Sequence, residues 1–430
     1  MSTTLFDVFY SSSGICTDTR AIKQESLFIC IKGENFNGNV FASKALEAGA
    51  SHVILDQEEY FVDNGKMTLV ENSLVYLQQL ARFHRRKFDI PVIGITGSNG
   101  KTTSKELINT VLSTKYNVLA TIGNLNNHLG VPFTLLRINK SHDIAIIEMG
   151  ANGFGDIKEL CEIAEPTHGI ITNIGKAHLE GFINFEGVLK TKKELYDSIE
   201  KSNGTIVVNK DDQTLTSNLP IGVKNHSYGT CGEENIHGEL IRLSPFVEMK
   251  WNSSSFQSKP IETQMIGKYN FYNYLSAVAF GVLFDVPNND ISNAIATYTP
   301  TNNRSQVKKT TLNTLILDCY NANPTSVKSA LESFAMNPSV DKLFILGDMK
   351  ELGSESKQEH IDILKLAENL SLKGYVVGPE FSTIQSDSIL NHFNSAQELI
   401  EKLRSQPLKN KLILLKGSRS IGLEQLESSL

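Results

Sequence analysis

The chain has 430 residues, 40% of them hydrophobic and 20% charged, and its 41 basic and 47 acidic residues leave a formal net charge of -6. This length exceeds what one hydrophobic core usually holds and predicts two or three compact domains. The slightly acidic balance argues against wholesale nucleic-acid binding and is compatible with a local basic pocket.

The first residues, MSTTLFDVFY, lack the basic segment and apolar core of a signal peptide, and no apolar run reaches the roughly 18 residues of a membrane span. We therefore expect a cytoplasmic protein with no membrane span and no nucleic-acid partner. The cysteines spell neither a zinc clasp nor a CxxC redox pair, and we interpret them as buried free thiols. They are Cys16, Cys30, Cys161, Cys231 and Cys319.

The first ninety residues predict a small α/β domain. SLFICIKG has the pattern of a strand, and FASKALEAGASHVILD predicts a helix that ends at Gly49 before a strand, HVIL. The basic end of a helix, LARFHRR, is followed by Pro91 and by an apolar strand that begins at Val92. We place a domain boundary near residue 90.

The next two hundred residues predict a mostly parallel sheet. Ile- and Val-rich segments alternate with helices, one of which opens at Lys101 and another of which spans 190–199. Such runs are typical of parallel strands covered on both faces. The segments are VIGIT, NVLA, DIAIIEMG, HGIITNIG and TIVVN. Between 213 and 265 the pattern weakens and predicts antiparallel strands, and GKYNFYNYLSAVAFGVLF then predicts a helix.

A linker, TYTPTNNRSQ, precedes a further set of alternating strands and helices. TLILDCY, KLFILGDM, GYVVG and KLILLKG read as strands, and TSVKSALESF and SESKQEHIDILKLAENL read as helices. This pattern predicts a doubly wound, Rossmann-like domain. The predicted division is a small α/β domain over 1–90, a central P-loop ATPase over 91–299, and the Rossmann-like domain over 300–430.

GITGSNGKTTSKE follows the strand VIGIT and has the character of a phosphate-binding loop, although Ile95 stands where the generic pattern has its first glycine. A glycine-rich turn before a helix gathers backbone N–H groups and a positive helix end at one point. Gly97 and Gly100 would let the main chain approach phosphate, Lys101 would reach the outer phosphates, and the Thr102 hydroxyl would bind Mg²⁺. The alternative is a tight strand-to-helix turn, which the spacing GxxGKTT disfavours.

Polar residues follow two other predicted strands. Glu148 ends DIAIIE at the edge where open α/β sheets bind ligands, and it is a candidate Mg²⁺ ligand or, alternatively, a helix cap or ion-pair partner. His178 and Glu180 follow the strand HGIITNIG on the same edge. A lone histidine is more often structural, but the neighbouring phosphate loop favours a functional role here.

The helix GVLKTKKELYDSI carries three lysines, Lys190, Lys192 and Lys193. By composition it is a solvated basic face, and the spacing does not single out one lysine.

Together these segments resemble the Mur ligases, ATP-dependent amide-forming enzymes of peptidoglycan precursor synthesis. TGSNGKTT, NIGKAHLEGF, the lysine helix, GKYNFYNYLSA and DCYNANPTS occur in the family order. EMGAN, GNLNNHLGVPFTLL, YNANP, LGDMKELG and KGSRS resemble the branch that adds D-alanyl-D-alanine to UDP-N-acetylmuramoyl-tripeptide, and TDTR, LFICIKG and FNGNVF resemble its first domain. The resemblance spans nearly the whole chain, and the family's shortened loop, GxxGKT, accounts for Ile95.

The resemblance implies an acyl phosphate mechanism that needs ATP and Mg²⁺, and roles for individual residues. The implied catalytic residues are Lys101, Glu148, His178 and Lys192. The implied metal ligands are Thr102, Glu148, His178 and Lys192, the last as a carbamate, whose anionic oxygens suit a hard cation. The implied ATP-binding residues are Gly97, Ser98, Asn99, Gly100, Lys101, Thr102, Thr103, Asn273, Arg304, Asp318 and Asn321. The implied sugar-nucleotide and muramoyl residues are Thr17, Asp18, Arg20, Asn124 and Asn127.

The implied partners are small molecules, namely ATP, UDP-N-acetylmuramoyl-tripeptide and D-alanyl-D-alanine, and we expect a monomer. The chain departs from the family pattern at Tyr269 and Gly153, where histidine is usual, and at 37–39, where NGN replaces DGH. One alternative is another Mur-type ligase or a folylpolyglutamate synthetase, which YNANP and LGDMKELG disfavour. Another is a non-catalytic nucleotide-binding regulatory protein, which predicts damage at the implied catalytic residues, all of which are intact.

Overall fold

The computed structural model describes residues 4–176, 179–182, 184–339 and 341–430. Within these ranges the chain forms three main sheets, each with helices packed against it, and a small two-stranded hairpin. The predicted α/β class with mostly parallel sheets is confirmed.

The N-terminal sheet is fully parallel, with the strand order β1-β2-β5-β6. Its strands are β1 (Ile15–Cys16), β2 (Leu27–Ile29), β5 (His52–Leu55) and β6 (Met67–Leu69), and the hairpin is β3 (Lys32–Gly33) and β4 (Phe36–Asn37). The helices of this part are α1 (Thr4–Tyr10), α2 (Ala42–Glu47) and α3 (Ser73–Arg85).

The helix α3 joins the first domain to the second. The Asn72 side chain caps its first turn by accepting from the main-chain N–H of Val75. Its buried face, which includes Tyr76 and Leu80, belongs to one hydrophobic core together with the central sheet. Because the two domains share this core, the residue 90 boundary separates two sheets that pack as one unit.

The central sheet has the order β15-β14-β13-β12-β11-β10-β7-β9-β8, with β16 paired to β14. The strands are β7 (Val92–Thr96), β8 (Val118–Ala120), β9 (Ile144–Glu148), β10 (His168–Ile171), β11 (Thr205–Asn209), β12 (Lys224–Gly229), β13 (Ile236–Arg242), β14 (Glu248–Ser253), β15 (Phe256–Gln257) and β16 (Ile261–Glu262). The helices are α4 (Lys101–Leu112), α5 (Gly130–Leu135), α6 (Asp156–Ala164), α7 (Leu179–Phe182), α8 (Phe185–Lys201), α9 (Gln213–Thr216), α10 (Lys268–Leu283) and α11 (Asn288–Thr297).

The expectation of antiparallel strands between 213 and 265 is partly wrong. The strand β12 runs parallel to both β11 and β13, and antiparallel pairing begins only between β13 and β14. The physical reason is that an alternating pattern marks a strand without marking its direction, which depends on how the chain returns to the sheet.

The C-terminal sheet has the order β17-β18-β22-β19-β20-β21, and only its edge strand β17 is antiparallel to its neighbour. The strands are β17 (Gln306–Lys309), β18 (Thr314–Leu317), β19 (Lys342–Gly347), β20 (Gly374–Val377), β21 (Ile389–Phe393) and β22 (Leu412–Lys416). The helices are α12 (Pro324–Ala335), α13 (Ser356–Asn369), α14 (Pro379–Ser382) and α15 (Ala396–Ser405). The predicted linker gives way to β17 at its last residue, and β21 and α15 were not predicted.

Short 3₁₀ helices complete the fold at Thr19–Ala21, Gly38–Phe41, Glu58–Tyr60, Gly353–Glu355, Arg419–Ile421 and Leu423–Ser429. None of the helices in the described ranges is long and apolar enough to cross a membrane. Four cysteines are buried as predicted, but Cys231 is exposed. It lies in the turn between β12 and β13, where its thiol donates to Asp211 Oδ1 (3.0 Å).

Candidate active site

The order of the central sheet brings three strand ends together. The strand β7 lies between β10 and β9, so the phosphate-loop candidate that follows Thr96 is flanked by Glu148 on one side and by Thr172 on the other. All three strands are parallel, and their carboxyl ends therefore open on the same edge of the sheet.

The turn between β7 and α4 requires both of its glycines. Gly97 has φ = 143°, and a Cβ there would lie 2.0 Å from Thr172 Oγ1. Gly100, at the start of α4, has φ = 81°, and a Cβ there would lie 2.8 Å from Asn273 Oδ1. Positive φ and close neighbours both exclude a side chain, so the main chain approaches the cavity without one.

Residues that follow the carboxyl end of β10 hold this loop in place. Ser98 donates through Oγ to the carbonyl of Gly175 (3.1 Å) and accepts from the N–H of Gly175 (2.9 Å). The N–H of Asn99 donates to Asn173 Oδ1 (3.1 Å), and Thr172 Oγ1 donates to the carbonyl of Asn99 (2.5 Å). These bonds fix the loop before any ligand is bound.

The Lys101 side chain folds back onto the same loop. Its Nζ donates to the carbonyls of Gly97 (2.7 Å) and Ser98 (3.3 Å). Burial lowers the pKa of Lys101, Glu148 opposes that shift, and Arg304 adds to it. An ammonium at this point can neutralise negative charge on a ligand that enters the loop.

Glu148 is buried, at 1% exposure, and its two oxygens have different surroundings. Oε1 accepts from Thr102 Oγ1 (3.1 Å) and from Asn126 Nδ2 (2.8 Å). Oε2 has no hydrogen-bond partner within the described ranges and lies 4.0 Å from Lys105 Nζ. A carboxylate with a free oxygen beside a threonine hydroxyl offers the hard oxygen donors that Mg²⁺ binds.

Glu148 is not joined by a cluster of metal-binding side chains among the described residues. No cluster of three or more His, Cys, Asp or Glu side chains suited to a metal occurs in the described part of the chain. His178 lies outside the described residues, and for Glu180 only the backbone, in α7, is described.

The structure distinguishes the three lysines that spacing alone left equivalent and of which the family resemblance had singled out Lys192. Lys190 is exposed and Lys193 pairs with Asp197 (3.1 Å), whereas Lys192 is buried at 2% exposure. Burial and the positive charge of Lys101 lower the pKa of Lys192 well below its usual value. An amine in this environment is favoured in its neutral, nucleophilic form.

The C-terminal domain contributes the opposite wall of the cavity. Lys416 donates to Asp318 Oδ2 (2.7 Å), and Asp318 Oδ1 accepts from the N–H of Ser305 (3.1 Å). The Arg304 guanidinium lies over the Tyr320 ring (3.9 Å to the centroid), and its Nε is buried without a hydrogen-bond partner from any described residue. This arrangement holds a cation and a carboxylate at fixed positions facing the loop.

On the central side of the same wall, α10 supplies polar side chains. Asn273 Oδ1 accepts from Ser104 Oγ (3.1 Å), and its Nδ2 donates to Asn270 Oδ1 (2.9 Å). Tyr269, which stands at a position where the family usually has histidine, bonds through its hydroxyl to Ser305 Oγ across the domain boundary (2.8 Å).

A cavity of about 680 Å³ gathers most of the predicted ATP-binding residues. Its lining includes Ser98, Asn99, Gly100, Lys101, Thr102, Thr103, Asn273, Arg304, Asp318 and Asn321. Glu148 and Asn124 line it as well, and Lys192 does not.

The predicted sugar-nucleotide residues of the first domain are not among those that line this cavity. Arg20 pairs with Asp18 at the surface (2.7 Å), and Thr17 precedes that pair in the chain. Asn127 instead orders the start of α5, because its Oδ1 accepts from the N–H groups of Leu129 and Gly130.

Sequence reasoning missed several residues that build the site. They are Lys105, Asn126, Thr172, Asn173 and Lys416. A usable signal existed for Thr172 and Asn173, since they follow a strand predicted to neighbour the loop. Lys105 gave no such signal, because a lysine one turn into a helix ordinarily points to solvent.

Comparison with known families places the whole chain in one group. The Mur ligase family catalytic domain matches residues 11–85, the Mur ligase middle domain matches 95–281, and the Mur ligase glutamate ligase domain matches 303–419.

Individual relatives are similar over nearly their full length. The UDP-N-acetylmuramoyl-tripeptide–D-alanyl-D-alanine ligase of Bacillus subtilis (strain 168) is 32% identical over 433 residues, covering 97% of this chain and 93% of the relative. The crystal structure of MurF from Acinetobacter baumannii has a TM-score of 0.87 at 29% identity and covers 97% of this chain and 92% of its own. MurF ligase from Thermotoga maritima, solved in complex with ADP, has a TM-score of 0.89 at 26% identity and covers 98% of this chain and 97% of its own.

Proposed function

This chain belongs to the Mur ligase family, and from that premise we propose that it is the ATP-dependent ligase that joins D-alanyl-D-alanine to UDP-N-acetylmuramoyl-tripeptide in peptidoglycan precursor synthesis. The observation that carries the proposal is the cavity in which a phosphate loop, a buried carboxylate and an Asp318–Lys416 pair from another domain converge. The similarity to D-alanyl-D-alanine-adding relatives over nearly the whole chain supports this choice within the family.

The phosphate loop binds the triphosphate of ATP. Main-chain N–H groups at the start of α4 and the helix dipole attract the phosphates, and Lys101 exchanges its bonds to the loop carbonyls for bonds to phosphate oxygens. Asn273 from one domain and Arg304 and Asp318 from the other bind the remainder of the nucleotide, because all three line the same cavity.

The metal site fits Mg²⁺. Glu148 Oε2, which accepts no hydrogen bond from the part of the chain that the structure describes, and the adjacent Thr102 hydroxyl are oxygen donors, and both residues line the nucleotide cavity. When bound, Mg²⁺ neutralises charge on the phosphoryl oxygens. His178 completes the proposed ligand set with a carbamylated Lys192.

Carbamylation suits the position of Lys192. A neutral amine attacks CO₂ through nitrogen and loses one proton, which leaves an anionic carbamate. The buried amine of Lys192 has its pKa lowered, so the neutral form that this reaction needs is favoured. The nearby Lys101, whose positive charge opposes a second ammonium, attracts the carbamate.

The reaction activates a carboxylate before it forms an amide. The terminal carboxylate of the tripeptide attacks the γ-phosphorus of ATP, the bond to ADP breaks, and an acyl phosphate forms. The amine of D-alanyl-D-alanine then attacks the acyl carbon, phosphate leaves with the bonding electrons, and the nitrogen loses a proton. Lys101 stabilises the charge that develops on the transferred phosphoryl group.

Water would hydrolyse the acyl phosphate, so the site must be covered during the reaction. The C-terminal domain supplies the cover, since its Asn323 and Glu359 contact Asn99 and Lys176 in loops of the central domain. We also propose that the protein is cytoplasmic, where its substrates are made, and that it works as a monomer.

The test is ATP-dependent phosphate release with UDP-N-acetylmuramoyl-tripeptides that carry diaminopimelate or lysine as the third residue, with and without D-alanyl-D-alanine. We expect release to require both the tripeptide and the dipeptide, and the amide product to form in equal amount. Release that ignores the dipeptide would contradict the proposed function.

A further inference from the structure

The amino end of α12 docks the C-terminal domain on two loops of the central domain. Asn323 Nδ2 donates to Asn99 Oδ1 (2.8 Å), and the main-chain N–H of Lys176 donates to Thr325 Oγ1 (3.2 Å). An ion pair between Lys176 Nζ and Glu359 Oε1 (2.7 Å) closes the same boundary. One of these contacts therefore reaches a residue of the phosphate loop itself.

The orientation of the Asn323 amide is fixed by its own helix. Its Oδ1 accepts from the N–H of Ser326 (2.9 Å), and Ser326 Oγ accepts from the N–H of Asn323 (3.1 Å), which together form a capping box. Because the oxygen of the amide is used by the cap, its NH₂ group is the one that faces Asn99.

The backbone of Asn99 is fixed as well. Its N–H donates to Asn173 Oδ1 (3.1 Å), and its carbonyl accepts from Thr172 Oγ1 (2.5 Å) and Asn173 Nδ2 (2.9 Å). Only the side chain of Asn99 can adjust, and a neighbour that offers a donor obliges it to present its oxygen. The Asn99 NH₂ group must then lie on the other side.

That NH₂ group has no partner among the described residues. Asn99 Nδ2 is buried and makes no hydrogen bond to that part of the chain, although Asn99 lines the nucleotide cavity. A buried donor without an acceptor is costly, so an acceptor is expected beside it in the working complex. Phosphate oxygens are acceptors, and the loop that carries Asn99 is the one that binds phosphate.

We propose that Asn323 is a positioning residue for the phosphate loop: its hydrogen bond selects the orientation of Asn99 in which the NH₂ group serves a phosphate oxygen of ATP. This inference rests on the proposed function and deepens it. The loop offers its full set of donors only while the C-terminal domain is docked. Phosphoryl transfer is thereby linked to the domain position that excludes water.

The variant Asn323→Asp tests this arrangement together with Asn323→Ser, which removes the same bond without adding a negative charge near the phosphates. Aspartate caps a helix as well as asparagine does, so α12 is retained. It presents an oxygen to Asn99, which then turns its NH₂ group towards Asp and its oxygen towards the phosphates. We expect ATP affinity to fall about tenfold to a hundredfold, as for a lost hydrogen bond to a charged group. The KM for D-alanyl-D-alanine and the melting temperature should stay unchanged.

Two further variants separate orientation from docking. Asn323→Ser keeps a helix cap but cannot reach Asn99, and we expect a severalfold loss of ATP affinity. Lys176→Met removes the ion pair to Glu359 and leaves the Asn323–Asn99 bond in place. That pair is exposed on the lysine side, at 57%, so we expect ATP affinity within about twofold of the wild type.

Nucleotide affinity is measured by calorimetric titration of the full chain with a non-hydrolysable ATP analogue and Mg²⁺, separately from ligation. Unchanged affinity in Asn323→Asp would overturn the inference, and so would an equal loss in Lys176→Met, because docking alone would then explain it. A wild-type chain that binds the analogue but forms no amide contradicts the proposed function. In that case the inference is still judged by the titration.

Discussion

Lys105 Nζ lies 4.0 Å from Glu148 Oε2, and the two side chains are only 1% and 2% exposed. Lys105 also donates to the carbonyl of Thr121 (2.6 Å) and pairs with Glu106 (2.9 Å). The carboxylate proposed to bind the metal therefore lies close to a buried cation of the protein as well as to the proposed metal site.

Lys105→Met should destabilise the fold strongly. Removing one member of a buried ion pair leaves the other charge uncompensated, which costs about 3–5 kcal/mol. The matched control is Lys158→Met, whose partner Glu162 is also 4.0 Å away but whose side chain is 67% exposed. We expect that control to lose less than about 1 kcal/mol. Urea unfolding measures both, and equal losses would show that burial does not govern the Lys105 pair.

Gly97→Ala should disable the phosphate loop. The new Cβ would lie 2.0 Å from Thr172 Oγ1 at φ = 143°, so the loop or the exit of β10 must move. We expect a lower melting temperature, a loss of about 1–3 kcal/mol or more, and weakened ATP binding. Gly33→Ala is the control, because no described atom lies within 4 Å of the position of its Cβ and its φ is not positive. The idea fails if both variants melt and bind ATP alike.

Lys192→Ala should lose most of its ligase activity, and short carboxylic acids such as acetate or formate should restore part of it. The reason is that the added acid supplies the oxygen anion that the carbamate provides. Steady-state phosphate release with and without the acid measures the rescue. Lys193→Ala is the control, since Lys193 pairs with Asp197 at the surface, and it should need no acid. Full activity of Lys192→Ala without any acid would exclude the carbamate.

His168 should make stability depend on acid pH. Burial lowers the pKa of His168 to about 4 from 6.5, and its ring packs against Phe284 (5.0 Å between centroids). The unfolded chain therefore takes up a proton first as the pH falls. The contribution of His168 to the free energy of unfolding is fully present above pH 6.5. It is lost as the pH falls from 6.5 to 4, by up to about 3 kcal/mol.

The variant His168→Asn isolates that contribution, because other histidines, such as the half-buried His52 and the buried His84, also have lowered pKa values. We expect the free energy of unfolding of the variant to fall less steeply than that of the wild type as the pH drops through this window. Parallel pH profiles of the two proteins would rule out a contribution from His168.

Local patterns predicted much of the fold. The strand VIGIT, the helix opening at Lys101 and the helix over 268–283 all appear as expected, because a continuous apolar strand, a glycine turn and a long apolar helix are determined by short-range sequence. The strand direction of β12 was missed, as were β21 and α15. Direction depends on crossovers and on neighbours distant in the chain, which a local pattern does not contain.

The candidate site was also predictable from the sequence only in part. Gly97, Lys101, Thr102 and Glu148 could be named from the sequence, because a glycine-rich turn and a carboxylate at a strand end have local signatures. Spacing alone could not show which of the three helix lysines is buried, since it leaves Lys190, Lys192 and Lys193 equivalent. The packing of α8 against the central sheet decides it, by burying the face that carries Lys192.

The sequence by itself determined that a loop, a carboxylate and a lysine helix exist and that the motif order is that of the Mur ligases. Only the tertiary structure decided that Lys105 lies close to Glu148 and that Asn323 donates a hydrogen bond to Asn99, 224 residues away in the sequence. The physical reason is that hydrogen bonds and ion pairs act over a few ångströms. Such contacts between residues far apart in sequence exist only after the sheets have formed and the domains have docked.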